Sequence, residues 1–291
     1  MVNSNDFLFQ TKGKIRAFDT AFSENYESKK DTQEEFEQQI GQLRLLQSKL
    51  YAQSRQGVLI ILQAMDAAGK DGVIKHVMSG VNPQGCKVVS FKAPSAEELA
   101  HDYMWRCMKA MPERGHIGIF NRSYYEEVLI ARIHPQLLQR QNLPFYHSKL
   151  HTDEKFWSQR YADIVNIEKY YINNGYMILK FFLNVSKDEQ KKRFLSRIDN
   201  ASKNWKFEMG DVSERQYWDP YQQAYQLMLE NTNHKMAPWY VIPADKKWYM
   251  RLVISRIIVE KLKSLQLEFP QVSKKHLEEI EHARVILEKE K

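Results

Sequence analysis

Cysteine is nearly absent: Cys86 and Cys107 are the only two among 291 residues, and no CxxC pair occurs. This usage argues against a disulfide framework and a structural zinc site, and it fits a reducing compartment. Long apolar runs are missing too. Stretches such as Val58 to Leu62 and Phe181 to Leu183 fall far short of the roughly 20 residues that a membrane-spanning helix needs. The start, Met1 to Asp6, has neither the cationic segment nor the apolar run of a secretory signal, so a cytoplasmic location is expected. Internal repeats and low-complexity tracts are also lacking, which removes solenoids and arrays from consideration.

What the chain does have is apolar material in quantity. Its 34.6 kDa include 43% hydrophobic and 27% charged residues, enough for a folded, soluble protein with a sizeable core. One compact unit carrying an inserted lid is expected, with an N-terminal arm over 1–30, a main domain over 31–270 and a C-terminal helix over 271–291. Lys and Arg total 43 against 36 Asp and Glu, a net charge of +7. That surplus suits an anionic partner, with nucleic acid, phosphorylated metabolites and acidic membranes all open at this point.

The periodicity alternates. Phe36, Ile40, Leu43, Leu46 and Leu50 recur at helical spacing within Thr32 to Ser54. Short β-rich runs follow at Gly57–Gln63, Cys86–Phe91, His116–Asn121, Tyr176–Val185 and Trp239–Pro243. Between them lie helical patterns over Ala96–Met111, Glu154–Asn173, Lys187–Arg197, Glu214–Glu230 and Lys247–Leu265. Strands alternating with helices predict an α/β fold in which a largely parallel sheet is covered on both faces, with ligands at the carboxyl ends of its strands.

Gln63 to Gly72 leaves the first such strand and opens a helix, the setting of a phosphate-binding loop. Ala64, Ala67, Ala68 and Gly69 are small enough for backbone N–H groups to approach anionic oxygens, and Lys70 adds a cation. Two positions depart from the common GxxxxGK[ST] pattern: Ala64 stands for the first glycine and Asp71 for the hydroxyl that binds Mg²⁺. The metal then needs another ligand, and Asp66 is the obvious carboxylate. The alternative is an ordinary strand-to-helix turn with Lys70 as a surface charge.

A second constellation closes another strand: Asn121, Arg122 and Ser123, with Glu126 shortly beyond. Asn121 occupies the place where an Asp would help orient Mg²⁺. Arg122 can stabilise phosphoryl charge, or it can pair with Glu126 at i,i+4. A third holds Lys191, Lys192, Arg193, Arg197, Lys203 and Lys206 within 187–206. Arg193 and Arg197 share a helical face, and such a segment is either a solvated charged surface or a basic lid, drawn here over about 187–233, for phosphoryl transfer. Asp211, Glu214, Arg215, Trp218 and Tyr221 could complete that lid, although the aromatics read as packing. His147 and His151, four apart, read as exposed residues rather than metal ligands.

Taken together, AMDAAGKDG at 64–72, VNPQG at 81–85, IFNRSYYEEVL at 119–129, KKRFLSRI at 191–198 and KNWKF at 203–207 resemble the polyphosphate kinase type-2 family over roughly 30–270. The resemblance implies a P-loop kinase-like fold with a helical lid, and reversible phosphoryl transfer between inorganic polyphosphate and nucleotides. It also implies Mg²⁺, with Mn²⁺ as a substitute, held through Asp66. Carried onto this chain, Asp66, Lys70 and Arg122 are the expected catalytic residues. Ala67, Ala68, Gly69, Lys70, Asp71, Lys75, Arg193, Arg197, Lys203 and Lys206 are the expected phosphate contacts. Asn82, Asn121, Arg122 and Glu126 are the expected nucleotide contacts. Asn121 with the Tyr-Glu-Glu at 125–127 looks like the subgroup that accepts both AMP and ADP, a choice tied to Glu126. Implied partners are polyphosphate and adenine nucleotides, with guanine nucleotides as further acceptors, and a homodimer or homotetramer; neither nucleic acid nor membrane is expected.

The chemistry is physically reasonable, because a nucleotide's terminal phosphate is already ionised near neutral pH and needs no strong base. Bringing two polyanions together is the task, and positioning, metal and cationic side chains accomplish it. Competing readings are an ATP-dependent nucleoside monophosphate kinase, disfavoured by the missing hydroxyl after Lys70, and a noncatalytic polyanion-binding protein.

Overall fold

The computed structural model describes residues 3–10, 12–144 and 153–290; His147 and His151 lie outside these. Five strands form one sheet: β1 Gly57–Gln63, β2 Cys86–Ser90, β3 Ile117–Asn121, β4 Tyr176–Asn184 and β5 Trp239–Pro243. Their order is β2-β3-β1-β4-β5, and every pairing is parallel. The expected α/β architecture is therefore observed, and each predicted strand is present to within a residue or so at its ends.

The run of Val58 to Leu62 makes β1 the central strand, and all seven of its residues are buried. A strand covered on both faces has no polar side, hence the unbroken apolar run. Helix Lys247–Ser264 is buried along most of its length through Met250, Val253, Ile254, Ile257 and Ile258. It lies against β5 and helices Lys29–Gln53 and Lys70–Val77, which explains a pattern that is apolar nearly all round. In Lys29–Gln53 the expected stripe is observed, with Leu43, Leu46 and Leu50 buried.

Two helical expectations need correction. Ala96–Met111 is not one helix but two short ones, Ala96–Leu99 and Trp105–Lys109. Asp102 sits between them, its side chain accepting from the Met104 N–H at 2.9 Å and its carbonyl from the Trp105 N–H at 3.1 Å; local bonding of this kind competes with the helix ladder. The stretch from Glu214 is likewise divided into Met209–Glu214, a 3₁₀ turn Arg215–Tyr217 and the helix Trp218–Thr232. Pro220 falls in the first turn of that last helix, where its missing N–H has no intrahelical acceptor to lose.

The N-terminal segment crosses the outer edge of β5: Leu8 forms an antiparallel bridge with Tyr240, and the Phe9 N–H donates to the Trp239 carbonyl at 2.9 Å. Covering an edge in this way removes a template for unwanted pairing. At the other end of the chain, helix Lys274–Lys289 contains no buried residue. Leu277, Ile280 and Ile286 are 52%, 45% and 49% exposed, so this apolar edge does not pack on its own chain.

Parallel register brings the functional segments together. Leu62 lies opposite Asn121, and Gln63 opposite Phe182, so the loop leaving β1 and the turn leaving β3 emerge side by side at the carboxyl edge.

Candidate functional site

Six residues, Ala64 to Gly69, connect β1 to helix Lys70–Val77. Ala67 has φ +59° and Gly69 φ +118°, left-handed values that fold the loop back on itself. The φ of Gly69 calls for glycine; a Cβ there would also come within 3.1 Å of the Met250 methyl, which would have to shift.

Every loop carbonyl has a donor. The Lys70 ammonium, only 8% exposed, donates to Ala64 and Met65 at 2.9 and 3.3 Å. Gln190 Nε2 donates to Asp66 at 2.9 Å, and Arg193 Nη1 donates to Ala67 at 3.0 Å and Ala68 at 2.5 Å. The Gly69 carbonyl accepts from the Val73 N–H at 3.0 Å. In contrast, of the N–H groups from Met65 to Lys70 only that of Ala68 ends on an acceptor among the described residues, at Met65 O 3.3 Å away. A loop with its carbonyls engaged and its N–H groups free is a concavity suited to an anion. The burial of Lys70 decides against the surface-charge alternative.

Across the loop stands Arg122, itself at φ +63°. Its Nη2 donates to Asp66 Oδ1 at 2.6 Å. Glu126 does not take the i,i+4 ion pair with Arg122; it accepts from Gln63 Nε2 at 2.9 Å. Gln63 also accepts from the Ser123 hydroxyl at 3.3 Å. Burial alone would raise the Asp66 carboxyl, but Lys70 and then Arg122 outweigh it and hold the group below the ordinary carboxylate range. Burial pulls the Lys70 ammonium down, with Asp66 opposing. Burial also works against the charge of Arg122, but Glu126 and Asp66 raise its pKa above its usual value.

The turn carrying these groups rests on a buried polar network. Glu168, fully buried, accepts from the Tyr125 hydroxyl at 2.6 Å, Lys180 Nζ at 2.7 Å and the Tyr124 hydroxyl at 2.9 Å. His234 Nε2 lies 2.8 Å from the same carboxylate. Tyr124 and Tyr125 immediately follow Arg122 and Ser123, so the network pins the turn from behind.

The remaining sequence-predicted residues divide. Asn121 Nδ2 donates to Asp71 Oδ1 at 2.9 Å, so the two residues that depart from the common P-loop pattern are bonded to each other. Lys206 Nζ comes within 4.0 Å of Asp71 Oδ2. Arg197 Nη1 pairs with Asp211 Oδ2 at 3.2 Å, and Asp211 is pushed up by burial and then by Asp66. Asp66, Arg122, Glu126 and Asp211 line one cleft together with Glu214 and Arg215. Trp218 and Tyr221 are buried, as their packing reading expects.

Three residues do not sit as expected. Asn82 caps the turn before β2, its side chain accepting from the Gln84 N–H at 3.0 Å. It precedes a strand whose carboxyl end faces the site, and so lies at the opposite edge of the sheet. Lys75 is exposed on helix Lys70–Val77, roughly 7 Å along the axis from Lys70 at 1.5 Å per residue. Arg193 is the third: it is 6% exposed and all five of its N–H donors end on protein acceptors, the other three being Glu189 Oε1 and the carbonyls of Ala244 and Asp245. It has no donor left for phosphate in this arrangement.

Gln63 and Gln190 escaped the sequence reading. A signal existed for Gln63: a buried polar side chain ending an apolar strand must find partners. Gln190, in a charged helix, gave none.

Among the described residues no group of three or more His, Cys, Asp and Glu is placed to hold a metal ion. Mg²⁺ is commonly bound through one or two carboxylates, with phosphate oxygens and water completing its shell. An ionised Asp66, with Asp211 near enough to feel its charge, fits that mode.

The comparisons agree with this geometry. The family model for polyphosphate kinase 2 matches residues 26–270. The chain is a member of the polyphosphate kinase 2 family. A relative from Rhodopseudomonas palustris, an ADP-polyphosphate phosphotransferase, is 53% identical over 85% of each chain. An AMP/ADP-polyphosphate phosphotransferase from Meiothermus ruber is 46% identical over 79% of this chain and 80% of its own. The crystal structure of polyphosphate kinase 2 from Arthrobacter aurescens superposes with a TM-score of 0.85 at 38% identity, covering 93% of this chain and 92% of that one. The fold is thus that of polyphosphate kinase 2, a P-loop kinase-like parallel sheet with flanking helices. Among the described residues no helix is long and apolar enough to cross a membrane.

Proposed function

We propose that this chain transfers the terminal phosphoryl group of inorganic polyphosphate, reversibly, to AMP and to ADP, giving ADP and ATP. The observation that carries the reading is the loop whose carbonyls are all engaged, facing an Arg122–Asp66 pair, in a chain of the polyphosphate kinase 2 family. The free N–H groups of the loop and Lys70 bind the transferred phosphoryl group. Arg122 stabilises its developing charge, a contribution that stationary donors make without reorganising. Asp66, kept ionised by Lys70 and Arg122, would hold Mg²⁺, for which Mn²⁺ can stand in, with Asp211 beside it. The ion would supply neutralisation of phosphate oxygens.

Lys203, Lys206 and Arg197 guide the polyanion towards the loop. Ala67, Ala68, Gly69 and Asp71 shape its terminal seat, and Asn121 with Glu126 meets the acceptor. The relatives' names divide on the acceptor, one ADP and one AMP/ADP. We favour dual use on the strength of Asn121 and of Glu126, whose position Gln63 fixes. The exposed Leu277, Ile280 and Ile286 edge is offered as the contact of a homodimer or homotetramer, and the two free thiols suit the cytoplasm.

The test is nucleotide analysis after incubation with Mg²⁺, long-chain polyphosphate and either AMP or ADP, with ATP omitted as donor. ATP from both acceptors is expected. ATP from ADP alone would restrict the acceptor, and failure with both, while ATP plus AMP yields ADP, would make the chain an ordinary nucleotide kinase.

A further inference from the structure

Helix Lys187–Ile198 presents two side chains to the back of the phosphate loop. Gln190, 1% exposed, reaches the Asp66 carbonyl, and Arg193 reaches those of Ala67 and Ala68. With its other amine Arg193 grips the carbonyls of Ala244 at 2.6 Å and Asp245 at 3.0 Å, just beyond β5. Glu189 fixes the remaining N–H at 2.8 Å. A planar fork with five donors is the one side chain able to hold both backbone segments at once. Gln190 is in turn oriented by Arg215, whose Nη1 lies 2.5 Å from its Oε1.

A peptide unit that turns its carbonyl away presents its N–H on the opposite side. Donors behind the loop therefore determine what it offers in front, and without them Asp66, Ala67 and Ala68 could swing their carbonyls towards an incoming phosphate, replacing attraction by repulsion. We propose that Arg193 and Gln190 are positioning residues that hold the phosphate loop in its anion-binding state from behind, and that Arg193 does not touch polyphosphate. The inference rests on the phosphoryl-transfer reading above, but it is indifferent to which phosphate donor is used.

The experiment compares Arg193→Ala, Arg193→Lys and Gln190→Leu with the unmodified protein. It measures kcat, KM for long-chain polyphosphate, and the salt dependence of polyphosphate binding. In the phosphoryl-transfer reading above, most of a long chain lies along Lys203, Lys206 and Arg197 and not in the loop, so a positioning role predicts at least about a 100-fold fall in kcat for both Arg193 variants, of the size seen when a transition-state donor is lost. KM and the salt slope should stay within about twofold, and Lys, which keeps the charge but loses the fork, should rescue little. Gln190→Leu should lower kcat about tenfold in the same pattern, and it carries the test if Arg193→Ala does not fold. A raised KM with a slope shallower by about one charge, kcat recovered at saturation and activity preserved by Lys would show that Arg193 contacts the polyanion, and would overturn the proposal. Near-normal rates in Gln190→Leu and Arg193→Lys would overturn it as well. Should the unmodified protein use ATP rather than polyphosphate, the donor assignment fails while the same kcat comparison, made with ATP, still tests the clamp.

Discussion

Arg193 and Arg197 lie one turn apart on the same helix, yet one is 6% exposed and fully occupied by protein acceptors, while the other keeps 23% of its side chain exposed and pairs with the carboxylate of Asp211. The contrast extends to the walls they belong to. Behind the loop, Lys70, Gln190 and Arg193 hold the backbone carbonyls from Ala64 to Ala68, and the Glu168–Lys180 network holds the neighbouring turn. In front, residues 198–212 leave Trp205 78% and Met209 69% exposed, and the Lys203 ammonium donates to the Ser196 hydroxyl of the preceding helix at 3.1 Å. A basic segment is thus not one functional object. Charges that are desolvated and multiply bonded set geometry; charges left in water attract a polyanion and are screened by salt.

The sharpest way to break this contrast is on the held wall. Arg122→Ala should lower kcat by about 10³-fold with little change in thermal stability, since Arg122 faces the cleft and its partner Asp66 can be hydrated there; a rate within tenfold of normal would remove it from the chemistry. Next comes Lys180→Met, which leaves Glu168 buried beside two tyrosines without its cation. Removing one partner of a buried pair costs about 3–5 kcal/mol, to be read as a lower urea midpoint. On the open wall, Lys203→Ala and Lys206→Ala should each raise KM for long polyphosphate several-fold while kcat is kept. Each should make the salt slope of binding shallower by about one; loss of kcat instead would move that lysine to the held side.

The smallest effect concerns pH. Burial pushes Glu127 up to about 7, above the ordinary glutamate value of roughly 4.3. The folded state therefore keeps a proton that the unfolded chain releases, and stability falls as pH rises through that window. Asp66 has the opposite sign: held low, it contributes stability that is lost as pH falls through its folded value. Urea midpoints at pH 5 and pH 8 should show Glu127→Gln improving relative to the unmodified protein at the higher pH. An unchanged difference would contradict the raised value.

Much of this was legible in the sequence. The apolar run of β1 and the strand–helix alternation announce a parallel sheet, and the loop and Asn-Arg-Ser turn follow from strand ends that such a sheet must align. What periodicity cannot report is which donors a buried backbone recruits. Arg193 and Arg197 look alike in a helical pattern because their difference comes from Ala244 and Asp245, some fifty positions further along the chain. Asn82 stands apart from the loop for a related reason: a motif near the loop in sequence can lie at the other edge of the sheet once a helix intervenes. The broken Ala96–Met111 pattern shows a single side chain, Asp102, overriding helical spacing.

The bond between Asn121 and Asp71 constrains the order in which the two positions can change. Restoring an Asp at 121 alone would set two carboxylates at hydrogen-bond distance, a like-charge contact that favours protonation of one of them and leaves Lys206, 4.0 Å from Asp71, as the nearby cation. Replacing Asp71 by Ser first leaves a hydroxyl that the Asn121 amide still satisfies, after which Asp at 121 gains a donor. The two substitutions are therefore not independent: the path through Asp71→Ser with Asn121 kept avoids the repulsive intermediate, in either direction between this loop and the common one, and the other path passes through it.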